Sequence, residues 1–182
     1  MSTAGNRLGT SVSTKDRFLD QFAVTAMSDT MGDYLQLLGT PGAIIQAQAT
    51  AEQNKPGRNV IALDRCTLAI HKDTAVHTYT ETFELGVDQV SESSTGVTKR
   101  CSASLIDDDE LGGYLIVTTM ISPGRNLSLV DARRLQAGGH AHVQTLSVRN
   151  NINGAHCTIR RTWVRVPMTH NDLEHLGQRA AE

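Results

Sequence analysis

The chain has 182 residues, with 17 basic and 19 acidic side chains and a formal net charge of −2. That is the size of one domain, long enough to bury a core without disulfide or metal staples. The mixed, near-neutral charge excludes a general nucleic-acid binder, which needs a basic stripe to displace counterions from phosphates.

Aromatic residues are scarce, at 4% of the chain, so the core must come from Val, Ile, Leu and Ala. A stacking platform for single-stranded bases is not expected. The basic pairs Arg133-Arg134 and Arg160-Arg161 read as a solvated face or rim. Cys66, Cys101 and Cys157 are odd in number and lack CxxC spacing, so neither a redox pair nor a zinc ribbon is expected. They fit small thiols in a reducing compartment. No signal segment and no apolar run near 18 residues is present, so a cytoplasmic protein without a membrane partner is expected.

Residues 1–14 are small and polar and read as a flexible arm. Residues 15–168 read as a single α+β domain, and 169–182 as a polar C-terminal tail. Asp16–Val24 fits a helix start or a strand. Thr40-Pro41-Gly42 opens the best helix, which Lys55-Pro56-Gly57 stops. That helix carries no charge before Glu52, which predicts that the rest of the fold wraps it. From Asn59 the period changes to two. Val60–Ile70 is a strand candidate. Ala75–Val87 is another, with His77, Tyr79, Glu81, Phe83 and Leu85 on one face. Val97–Ile106 and Tyr114–Ser122 follow as hairpin strands. Residues 125–139 look less regular. His140–Arg149 and Ala155–Val166 flank the turn Asn150–Gly154, which sets His156 opposite Val148.

A helix followed by a long antiparallel meander resembles the hotdog fold, in which such a sheet curls around a central helix. The resemblance covers roughly Phe18–Ser122. Phe22–Asp29 resembles its first strand, Thr40–Asn54 its central helix, and the strands from Val60 to Ile121 its sheet. In the thioesterase branch, an Asp-containing loop and a Gly precede the helix. Ser28-Asp29-Thr30-Met31-Gly32-Asp33-Tyr34 matches that stretch, though its two Asp are four residues apart and the usual Asp-x-Asp is absent. The resemblance implies an acyl-thioester hydrolase acting on acyl-CoA or acyl-carrier-protein, with no cofactor and a homo-oligomeric assembly.

Thioester hydrolysis needs a carboxylate to activate water or attack the carbonyl, and donors for the oxyanion. Asp29 and Asp33 are the candidate carboxylates, and the Gly42 N–H is the candidate donor. Asp29 serves equally well as a turn residue and Asp33 as a helix cap. His77, Tyr79 and Glu81 are candidate substrate-binding residues, because polar groups on an apolar face line a cavity or find partners. His140 and His142 share a strand face, but no third ligand accompanies them, so no metal is assigned. The alternatives are an NTF2-like cyclase, isomerase or dehydratase working through His77 and Glu81, and a non-enzymatic shell or capsid subunit.

Overall fold

In the computed structural model, the described residues are 21–27, 31–74, 78–92, 96–106, 113–122, 126–136 and 138–167. The expected N-terminal arm and C-terminal tail lie outside them.

Ten strands and two helices make up this part of the chain. Strand β1 (Gln21–Met27) leads into helices α1 (Met31–Leu37) and α2 (Gly42–Asn54). Then come β2 (Arg58–Asp64), β3 (Thr67–Asp73), β4 (Thr78–Glu84), β5 (Gln89–Glu92) and β6 (Thr98–Ile106). The last four are β7 (Tyr114–Ser122), β8 (Leu127–Leu135), β9 (Ala141–Asn150) and β10 (His156–Arg165). They form one sheet in the order β4-β3-β2-β1-β10-β9-β8-β7-β6-β5, antiparallel throughout.

Ten antiparallel strands with one buried face cannot stay flat, and their twist curls the sheet on itself. Its two ends meet. Leu85, just after β4, bridges Ala103 of β6, and the Gly86 N–H donates to the Ala103 carbonyl at 2.9 Å. The Gln89 amide, turned to donate to the Thr82 carbonyl at 3.2 Å and accept from the Glu84 N–H at 3.3 Å, ties β5 to β4. Core contacts run across this seam, since Leu68, Ile70 and Phe83 join Cys101, Ala103, Leu115 and Val117 in one cluster. The sheet is therefore a barrel.

That cluster, with Phe22 and Trp163, packs one part of the interior. A second cluster forms under α1, where Tyr34 meets Leu127, Val148 and Ile159. The two leave a cavity between them.

This architecture overturns the hotdog expectation. The helix expected at the centre, α2, buries none of its residues, and Ile44 on it is 52% exposed. Its apolar residues are not gathered on one face, so it has no stripe to bury and lies outside the sheet it was expected to fill. The sheet curls around a cavity. Two further differences have local causes. Val60–Ile70 is two strands, because Arg65 takes a left-handed conformation (φ 53°) and turns the chain at Arg65-Cys66. The irregular stretch 125–139 contains β8, whose inner face carries Asp131 and Arg133 among leucines. His156 faces Arg149 and Cys157 faces Val148, one residue from the expected register.

Candidate functional site

The cavity has a volume of about 560 Å³, within the usual range for small-molecule sites. Phe83, Val117, Leu129, Leu146 and Trp163 give it apolar wall, and Tyr34, Leu35 and Leu38 of the α1 region lie across it. Its polar groups come from alternate positions on neighbouring strands, because strand side chains switch faces with period two. Thus Asp131 and Arg133 come from β8, Gln144 from β9, and Arg161 and Trp163 from β10.

Four of these side chains, Asp131, Arg133, Gln144 and Trp163, form one network with Asn59 of β2. Arg133, fully buried, donates from Nε and Nη2 to the two Asp131 oxygens at 3.2 and 3.1 Å. The Gln144 amide donates to Asp131 at 2.8 Å and accepts from the Trp163 indole N–H at 2.9 Å. Asn59, turned to donate to the Arg58 carbonyl, accepts from Arg133 Nη1 at 3.1 Å. Burial alone would raise the Asp131 carboxyl, but the Arg133 guanidinium and the Gln144 amide hold it below the usual carboxylate range. The network therefore holds a paired, hydrogen-bonded charge, the form in which a buried ion is tolerable.

Arg161 is satisfied less fully. Its Nη2 lies 3.5 Å from the Met31 sulfur and 3.8 Å from Glu52 Oε1, an oxygen that also accepts from Gln48 at 3.0 Å. Its buried Nε finds no acceptor among the described residues. Burial lowers the proton affinity of this guanidinium, and Glu52 and Asp131 oppose that. On the opposite wall, Lys72 of β3 pairs with Glu81 of β4 and lies over the Tyr79 ring. Burial, then the Asp131 charge, pushes the Tyr34 phenol up to about 12, so it stays protonated at neutral pH.

The residues singled out from the sequence are scattered. Tyr79 and Glu81 line the cavity. Asp33 is exposed on α1, beside a shallow groove with His156 and Cys157. Gly42 is exposed at the start of α2, with open space where a side chain would stand. Asp29 and His77 lie outside the described residues. His142 points into the core, its ring edge-on to Phe22 at 4.5 Å and stacked with Trp163 at 6.0 Å. Among the described residues, no group of three His, Cys, Asp or Glu is placed to hold a metal. No helix among them is long and apolar enough to cross a membrane.

The basic pairs read as solvated correct themselves here: Arg133 and Arg161 face inward. The signal was strand parity. Arg161 shares its strand face with Ile159 and Trp163, and Arg133 shares its face with Leu129, Asp131 and Leu135, so each faces the interior.

No protein-family model matches the sequence, and no curated protein matches it. Solved structures do. Apo lipid binding protein 8 of Caenorhabditis elegans matches with a TM-score of 0.64 at 15% identity, covering 82% of this chain and 96% of that one. The REP1-NXSQ fatty acid transporter matches at 0.59 and 14%, with the same coverage. A point mutant of that transporter matches at 0.57 and 15%, covering 81% and 96%. These neighbours replace the thioesterase resemblance, and with it the expectation of acyl-CoA or carrier-protein hydrolysis. They match neither an NTF2-like enzyme nor a shell subunit. At such identities the likeness establishes architecture alone: the chain has the β-barrel fold of these lipid-binding proteins.

Proposed function

We propose that the chain binds a single-chain amphipathic lipid inside the barrel. The apolar tail lies against Phe83, Val117, Leu129 and Leu146, and the polar end reaches Arg161. Tyr79 and Glu81 belong to the opposite wall of the same site. The observation that carries the reading is the combination of a cavity of about 560 Å³ with an apolar stretch of wall and a buried guanidinium whose Nε finds no acceptor among the described residues. Burying such a group without a partner is costly, and a ligand oxygen placed there recovers the lost hydrogen bond. The printed descriptions of the structural neighbours, a lipid binding protein and a fatty acid transporter, support the same class of ligand. The wall is built by one chain, so binding requires no second copy. We place the protein in the cytoplasm, where its three free cysteines stay reduced.

Isothermal titration of delipidated protein with C18 lipids bearing acid, alcohol and amide heads tests the reading. One lipid per chain is expected, with the best Kd about micromolar or tighter, the affinity of about −8 kcal/mol. Arg161→Met should weaken the best ligand by about 10- to 100-fold, the worth of a hydrogen bond to a charged group. No saturable heat with any of the three heads would overturn it.

A further inference from the structure

The charges on the cavity wall narrow the ligand further. Among the described residues, three cations and three acids line it, each cation set against one acid: Lys72 with Glu81, Arg133 with Asp131, and Arg161 with Glu52. The formal charges of these six groups sum to zero. Arg133 is committed to Asp131 by two hydrogen bonds, which leaves Arg161 to receive a head group.

The Arg161–Glu52 pair is the loosest of the three. Its members are 3.8 Å apart, beyond hydrogen-bonding distance, yet their side chains are only 16% and 14% exposed. A carboxylate head docked on Arg161 would bring a second negative charge beside Glu52 and leave the wall with an uncompensated anion in a partly desolvated space. A neutral head with both a donor and an acceptor meets neither penalty. Its acceptor takes the free Arg161 Nε–H, its donor satisfies the Glu52 carboxylate, and the ion pair is bridged instead of broken.

We infer that this site selects single-chain lipids with a neutral head that both donates and accepts hydrogen bonds, a long-chain primary amide or alcohol, over the free fatty acid. Glu52, reaching in from α2, is the residue that sets this preference. The inference rests on the lipid-binding reading above.

Oleamide and oleate, of equal chain length, are the probes, titrated at neutral pH with Trp163 emission as the signal. The wild-type protein is expected to bind oleamide at least about tenfold more tightly than oleate. Glu52→Gln removes the negative charge and keeps the hydrogen-bonding shape. It should tighten oleate by about tenfold and weaken oleamide, whose donor then meets a neutral acceptor, by up to about tenfold, collapsing the preference. Arg161→Gln should move the other way, weakening oleate more than oleamide. Equal wild-type affinity for the two lipids overturns the inference and leaves lipid binding standing. So does an unchanged ratio in a Glu52→Gln protein with wild-type circular dichroism. Failure of both lipids to bind overturns both readings together.

Discussion

The buried histidine makes a pH prediction with a magnitude attached. His142 is fully buried on β9, between Phe22 and Trp163. Burial first, then the nearby Arg133 charge, pushes its pKa from 6.5 down to about 3, against a smaller opposing pull from Asp131. The folded state therefore takes up the proton later than the unfolded chain does. The stability contributed by the neutral ring is complete above about 6.5 and is lost as pH falls from there towards 3, at about 1.4 kcal/mol per pH unit. Between pH 7.5 and 5 the loss is about 2 kcal/mol. It corresponds to about 4–8 °C in Tm for a chain of this length. Urea unfolding of wild type and His142→Leu at pH 7.5, 6 and 5 isolates this contribution, because the other titrating groups cancel in the difference. The wild type should lose about 2 kcal/mol more than the variant across that range. Parallel curves for the two proteins would refute a neutral buried ring at this position.

The other predictions concern the network and the turns. Asp131→Asn leaves the fully buried Arg133 without its counter-ion and should cost about 3–5 kcal/mol. The apolar pair Asp131→Leu with Arg133→Met should recover most of that loss in the same urea assay, which no purely steric account predicts. The Asp131 contribution, from a carboxyl held below 3.8, should persist above that value and disappear only as pH falls further. Trp163→Phe strands the Gln144 carbonyl oxygen and should cost about 1–3 kcal/mol by thermal melting. Asn150→Ala removes the acceptor for the Ile152 and Asn153 N–H groups in the β9–β10 turn, a loss of about 1 kcal/mol in chemical denaturation.

Much of the sheet was legible in the sequence. The alternation in β4 placed Tyr79, Glu81 and Phe83 on one face, and that face lines the cavity, with Phe83 buried and Tyr79 exposed. The β6–β7 and β9–β10 strand pairs form where their strands were expected, the second one residue from the expected register. The failures share a physical origin. The β2–β3 turn uses Arg65 in a left-handed conformation, where glycine or asparagine is the usual marker. In β8, charged residues occupy inward positions, so the apolar alternation that identifies strands breaks down where the site is built. The hotdog resemblance reads Ser28–Tyr34 as a loop, whereas Met31–Leu37 forms the short helix α1. The largest error came from α2. A run without charge predicts a buried helix, but this helix buries none of its residues fully, and Ile44 on it remains exposed.

The same physics explains why the candidate site was missed although its residues were in view. Arg133 and Arg161 stand in basic pairs that resemble surface charge. Only the parity of each strand, together with the closure of the sheet, turns one member of each pair inward. Closure depends on the seam between Leu85 and Ala103, a contact that no local pattern encodes. The buried Arg133 and Asp131, two residues apart on β8, pair with each other, and Gln144 of β9 and Asn59 of β2, distant in sequence, complete their hydrogen bonds.

The most direct test of the account is quenching of Trp163, the chain's one tryptophan, which is 3% exposed and lines the cavity. A stearamide brominated at mid-chain should quench its emission saturably at one lipid per chain, while bromide ion in solution leaves it nearly unchanged. Quenching that never saturates, or none from the brominated lipid, would contradict a lipid held inside the barrel.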